Sequence, residues 1–225
     1  MGKGNKNGED DTSYCVLTMP LYPEPWQSEI LETRFQIMEH LENSLTALEL
    51  RKLKNVERTK KYREVMSAIK EEKDDKNRNK LWKERNKLLK DAGISQFDFI
   101  KDISSLQKHF APHIAQKVGA AAAHSHVWSA FDKVVFGKGQ RIHFHKKGDL
   151  KSITSGYFGV SMTVKNGYFI WSGGTKDEKD RKVKPITISV KIKQPETYYE
   201  KEMLQKQIKY VTIVRKWIKN RYKYY

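Results

Sequence analysis

The spacing of apolar residues changes character once along this chain, near Phe136. Before it they recur with the period of a helix; after it they alternate as in strands. Leu31, Met38 and Leu45 repeat every seven positions, Leu41 and Leu48 fall between them, and Ile30 and Ile37 widen the stripe. That pattern predicts a long amphipathic helix, N-capped by Ser28 and packed against others in a bundle. The stripe fades after Leu53. From 52 to 90 the chain is highly charged, with sparse anchors at Val56, Val65, Met66, Ile69, Leu81, Trp82, Leu88 and Leu89. The polar run 71–79 predicts a joint between two helices, and Gly93 ends the second as a C-cap glycine would. Ser95 opens a further helix through Phe97, Ile100, Ile103 and Leu106. Pro112 interrupts the pattern and residues 115–131 resume it, with small side chains over 119–123 that permit close helix packing.

Beyond Gly139 the period is two. Residues 140–145 place Ile142 and Phe144 on one face and Arg141, His143 and His145 on the other. Residues 157–164 predict a second strand, and Asn166-Gly167 a two-residue hairpin turn into Tyr168–Trp171. Gly173-Gly174 opens a charged loop over 175–182. Ile186, Ile188, Val190 and Ile192 then point inward along one strand. A short helix over 196–205 precedes a strand at 210–215 and the start of another at 221–225. Ahead of the helices, residues 14–19 predict a lone strand stopped by Pro20, Pro23 and Pro25. Its only partners lie past 136, so the chain leaves the sheet and returns to it. The predicted fold is α+β: a small antiparallel β-barrel of the oligonucleotide-binding kind with an inserted α-helical bundle. The boundaries are a disordered leader at 1–11, the first barrel strand at 12–26, the helical lobe at 27–135 and the rest of the barrel at 136–225.

Charge divides the chain at the same place. The 225 residues carry a net charge of +17, and residues 136–225 hold +14 of it, with 21 Lys/Arg against 7 Asp/Glu. A field of that size attracts polyanions. No segment approaches the roughly 18 apolar residues of a membrane span, and residues 1–11 lack a signal-peptide core. The expected location is the cytoplasm, without membrane partners. Cys15 is the one cysteine, which excludes an internal disulfide and a multi-cysteine zinc site; its apolar neighbours predict core packing.

Basic residues interleaved with aromatics are the pattern that neutralises phosphates and stacks bases. The candidate nucleic-acid-binding residues are Lys138, Arg141, His143, His145, Lys146, Lys147, Lys151, Lys191, Lys193, Lys209, Arg215, Lys216, Lys219, Arg221, Tyr222 and Lys223. Any one of them fits a solvated sheet face equally well; the clustering favours nucleic acid. His124-x-His126 and His143-x-His145 have the spacing of paired ligands, but nothing in the sequence ties the pairs together or adds the further ligands zinc needs. They read as helix-end contacts and phosphate hydrogen bonds. Gly137-x-Gly139 precedes a strand rather than a helix and reads as a turn. The carboxylates of the basic part lie in a Lys-rich loop (Asp177, Glu178, Asp180) or on the short helix (Glu196, Glu200, Glu202). None alternates within an apolar strand, so no nuclease centre is predicted.

Residues 134–153 (Val-Val-Phe-Gly-Lys-Gly-Gln-Arg-Ile-His-Phe-His-Lys-Lys-Gly-Asp-Leu-Lys-Ser-Ile) resemble the segment that enters the barrel of TnpB-type proteins. These are the OrfB transposases of insertion sequences, relatives of type V CRISPR effectors. Residues 208–225 (Ile-Lys-Tyr-Val-Thr-Ile-Val-Arg-Lys-Trp-Ile-Lys-Asn-Arg-Tyr-Lys-Tyr-Tyr) resemble the strand pair that leads such proteins into their RuvC nuclease domain. The resemblance covers most of 13–225 and implies a wedge-like barrel with an inserted recognition lobe. It implies guide RNA and target DNA or heteroduplex as partners, in a bacterial cell, on the nucleoid when bound to DNA. The family's catalytic carboxylates and zinc ribbon follow the point where this chain stops, so no catalytic residue carries over. No cofactor is expected here; Mg2+ would belong to a downstream nuclease domain. The last strand pattern stops at Tyr-Lys-Tyr-Tyr and reads as cut. Two other readings stay open: a nuclease-less DNA-binding repressor or adaptor, and the front part of an intact RNA-guided endonuclease. A pure protein-interaction scaffold fits the charge asymmetry poorly.

Overall fold

Pro20, Pro23 and Pro25 confine the lead-in strand to two residues, Leu21–Tyr22 (β1). Pro25 then occupies the first turn of a helix, where its missing N–H has no partner to lose. The computed structural model describes residues 15–137, 139–156, 159, 161–174 and 184–225. The predicted leader, Lys138 and the whole charged loop over 175–182 lie outside them.

Helix α1 runs Pro25–Glu57, 33 residues and about 50 Å long. Its cap is Glu24, in a capping box with Gln27, rather than Ser28, which lies within the first turn. The predicted stripe is its buried face, with Leu31, Phe35, Met38, Leu41 and Leu45 each at most 1 % exposed. The polar joint falls between α2 (Lys60–Glu71) and α3 (Asp75–Asp91), with Thr59 and Asp74 as N-caps. Gly93, at φ +72°, closes α3. Ser95 caps α4 (Gln96–Leu106). After a 3-10 turn, α5 (Gln116–Ala122), a π-helical turn (Ala123–Trp128) and α6 (Ser129–Val135) follow without a break.

The chain then re-enters the sheet as β2 (Ser152–Thr154), β3 (Met162–Lys165), β4 (Tyr168–Ser172), β5 (Thr187–Ile192), β6 (Thr212–Ile218) and β7 (Arg221–Tyr224). Helix α7 (Tyr198–Gln205) separates β5 from β6. Every pairing is antiparallel, in the order β2-β6-β7-β1-β5-β4-β3, with β1 at the centre. The architecture is thus mixed α and β, with a curled half-barrel sheet. The predicted antiparallel barrel appears as this half-barrel: among the described residues β2 and β3 are its two edges and do not pair with each other. Helix α1 fills the concavity instead, its Leu31, Phe35 and Met38 joining Ile153, Met162, Phe169, Trp171, Ile188, Val190, Ile213 and Tyr224 in one core.

Three local expectations are corrected. Residues 15–20 form no strand, and the pairing falls on Leu21–Tyr22. Residues 140–145 form none either, and at His145 an α1 side chain takes the place of a strand partner. Asn43 Nδ2 donates to the His145 carbonyl at 2.9 Å, and the His145 amide donates to Asn43 Oδ1 at 2.8 Å. Cys15 is exposed rather than in the core, its thiol 3.1 Å from Met203 Sδ. Gly173-Gly174 marks a close approach of sheet and helices. A Cβ on Gly173 would stand 1.9 Å from the Pro112 carbonyl oxygen, which accepts the Ile186 amide. Among the described residues no helix is long and apolar enough to cross a membrane.

Candidate nucleic-acid interface

The sheet registers align one row of side chains on the outer face, across six strands. Lys165 (β3) faces Tyr168 (β4), Tyr168 faces Lys191 (β5), and Lys191 faces Tyr22 (β1). Leu21 faces Tyr224, and continuing that antiparallel register sets Tyr22 beside Lys223 (β7), which faces Lys216 (β6). At ~4.8 Å between strands the row is about 24 Å long. The alternation that buries Phe169, Val190, Ile192 and Tyr224 turns these six outward. Tyr22 is 56 % and Tyr168 43 % exposed, so both rings keep a face for a ligand. Lys216 Nζ lies 5.1 Å from the Tyr225 ring centroid. None of the four lysines forms an ion pair with a described residue.

The inner face treats cations in the opposite way. Arg215 is 1 % exposed. Its guanidinium donates to the Leu150 carbonyl (2.9 Å), Glu32 (2.7 Å) and Glu39 (2.8 Å), and it stacks on Phe35. Arg34 is fully buried, bonded to the Trp171 and Ile186 carbonyls, and burial lowers its pKa to about 10. Arg215 is therefore corrected from a phosphate contact to a core ion pair.

His145 is partly engaged inside the protein as well. Glu42, on α1, has a side chain 1 % exposed. Its Oε1 meets His126 Nδ1 at 2.9 Å and its Oε2 meets His145 Nε2 at 2.9 Å. One member of each His-x-His pair is thus joined through a carboxylate that the sequence did not connect to either. Burial pushes Glu42 up, but the hydrogen bonds and charges of the two imidazoles outweigh it and hold the carboxyl below its ordinary range. The hydrogen bond to Glu42 raises both histidines. This clamp and Glu39, which accepts the Gly148 and Leu150 amides, fasten the 139–151 segment to α1. Within the helices, Lys52 joins Glu49, Asp102 and the Gly93 carbonyl. Burial and Asp102 push Glu49 up to about 8, against Lys52.

The remaining candidates divide by position. Arg141, His143, Lys146 and Lys147 are exposed on the irregular 139–151 segment, and Lys151 Nζ donates to the Gly148 carbonyl at 2.6 Å. Lys193 is paired with Glu196 at 2.8 Å. Lys209 is exposed. Lys219, in the left-handed region with Asn220, forms the β6–β7 turn, and Arg221 is exposed beside it. Tyr222 is half-buried, its ring 4.7 Å from the Arg215 guanidinium. Lys191, Lys216 and Lys223 lie in the outer row. Lys165 is among the basic residues the sequence places on or beside strands, whereas Tyr22 and Tyr168 were missed. Part of that signal was legible: a two-residue turn at 166–167 sets 165 opposite 168. Among the described residues, no three His, Cys, Asp or Glu side chains are grouped so as to hold a metal ion. Compared with known proteins, the chain matches no family model, no curated protein and no solved structure.

Proposed function

We propose that this chain binds nucleic acid across the outer face of its sheet, as the guide-holding part of a TnpB-like protein. The observation that carries the reading is the row Lys165, Tyr168, Lys191, Tyr22, Lys223, Lys216. Four ammonium groups without ion-pair partners among the described residues suit a sugar-phosphate backbone. Two exposed tyrosines between them suit base or sugar stacking. The reading assigns binding, not cleavage, to these residues. The 139–151 segment adds further exposed cations.

The test is equilibrium binding of the full chain to single-stranded and duplex RNA and DNA as salt is raised. Four phosphate contacts on a single strand give a log–log slope near −3 (about 0.7 for each contact). An affinity indifferent to salt overturns the reading. RNA of defined sequence recovered with the purified chain supports the guide-holding role. DNA retained without RNA favours the repressor or adaptor instead.

A further inference from the structure

Trp217 stands apart from the outer row. Its strand parity is that of Ile213 and Arg215, both buried on the inner face, yet it is 60 % exposed because β6 and β7 run past the core at this end. Its register partner is Tyr222. The two rings meet at 4.8 Å between centroids and 71° between planes, an edge-to-face contact. Tyr222 is itself held on two sides. The Arg215 guanidinium lies 4.7 Å from its ring centroid, and a Cβ on Gly148 would stand 3.0 Å from its hydroxyl. An exposed indole is thereby backed by a fixed ring, which is backed by a buried, fully engaged arginine.

Glu32 and Glu39 behind this platform are taken up by Arg215 and the Gly148 amide, and exposed cations lie on the segments around it. Lys219 and Arg221 belong to the turn and strand that carry it. Lys146 and Lys147 belong to the tight turn before Gly148, the residue in contact with Tyr222. All four are exposed, and none forms an ion pair with a described residue. Asp149, the acid on that turn, accepts the Lys146 amide. An exposed flat apolar ring on a hairpin with exposed cations, whose supporting ring touches a second exposed basic turn, is complementary to a flat base with flanking phosphates. A protein or lipid partner would call for a wider apolar surface.

We propose that Trp217, supported by Tyr222, stacks one unpaired base of a single-stranded nucleic acid, with the flanking phosphates on Lys146/Lys147 and Lys219/Arg221. This rests on the nucleic-acid reading above and narrows its ligand class, since a base inside a duplex has no face to offer. It also places contacts on both sides of the β6–β7 hairpin: Lys216 and Lys223 outside, Trp217 inside. A strand lying on the outer row turns over this hairpin to reach the indole.

The experiment compares the full chain with Trp217→Leu and Trp217→Phe, using a labelled 12-nucleotide single-stranded RNA and the blunt duplex of the same sequence. Trp217→Leu weakens single-strand binding about 5- to 150-fold and leaves the salt slope unchanged. Trp217→Phe restores most of the affinity, and duplex binding changes less than twofold. Because Trp217 is outside the core, its variants keep the parent's thermal melt. Wild-type affinity in Trp217→Leu, or equal losses on single strand and duplex, overturns the stacking site while the nucleic-acid reading stands. A wild-type chain that binds neither ligand in a salt-dependent way overturns both.

Discussion

Arg215 and Lys216 are consecutive residues of one strand, and the sheet separates them completely. Arg215 faces inward, is 1 % exposed and holds Glu32, Glu39 and the Leu150 carbonyl. Lys216 faces outward and pairs with no described acid. The division extends across the sheet: inside, Arg34 and Arg215 are fixed by carbonyls and α1 carboxylates; outside, the row cations are lysines. A guanidinium presents a rigid fork of donors to fixed acceptors and sheds its hydration readily, whereas an ammonium on a flexible stem remains hydrated until an anion arrives. Net charge alone therefore does not identify the binding residues. Arg215, which the sequence groups with the exposed cations, is instead part of the core.

The sharpest way to break this contrast is to exchange neighbours. Arg215→Ala strands Glu32 and Glu39 and costs roughly 3–5 kcal/mol of stability by chemical denaturation. Lys216→Ala changes stability by at most ~0.5 kcal/mol and instead weakens nucleic-acid binding. Equal stability losses for the two would erase the distinction between the faces. Next in size, Tyr22→Ala and Tyr168→Ala each cost about 1–3 kcal/mol of single-strand affinity without altering the salt slope. Replacing Lys165 or Lys191 lowers that slope by about 0.7 per residue. A salt titration of each variant separates stacking from phosphate contact.

Two smaller effects are read from pH. His126 and His145 have folded-state pKa values raised above the ordinary 6.5, so their contribution is complete below 6.5 and lost as pH rises through the raised values. Glu42 is lowered from 4.5, so its contribution is complete above 4.5 and lost as pH falls through the lowered value. Glu39 and Asp149 also face His145 and act in the same direction on it. The clamp is strongest between pH 4.5 and 6.5, and the margin in melting temperature of wild type over Glu42→Gln shrinks toward pH 8. A margin that is flat from pH 5 to 8 removes the clamp from the fold's energetics. Glu49, raised to about 8, contributes fully below 4.5 and loses its contribution by the time pH passes 8. Glu49→Gln flattens that slope without moving the 139–151 segment, which hydrogen exchange of the Gly148 and Leu150 amides would report.

Local pattern made a good deal of this legible. The α1 stripe, a joint within 71–79, the Gly93 cap and the alternation of β5 all rest on interactions within a few residues, which sequence spacing encodes directly. The Asn166-Gly167 turn, with both residues at positive φ, belongs to the same class. What was not legible depends on distant partners. Residues 140–145 alternate like a strand, but the His145 backbone bonds Asn43, 102 positions away, instead of a strand partner. Arg215 looks like its neighbouring lysines until Glu32 and Glu39 are placed beside it.

The sequence by itself determined the helix-then-sheet order, the return of the chain to the sheet and the concentration of positive charge after residue 136. These follow from period, turn residues and composition. Tertiary structure alone decided which cations face solvent, that α1 fills an open half-barrel, and that a carboxylate joins two histidines 19 positions apart. The physical reason is that burial of a charge depends on the acceptors gathered around it, and those come from residues 65 to 183 positions away for Arg215.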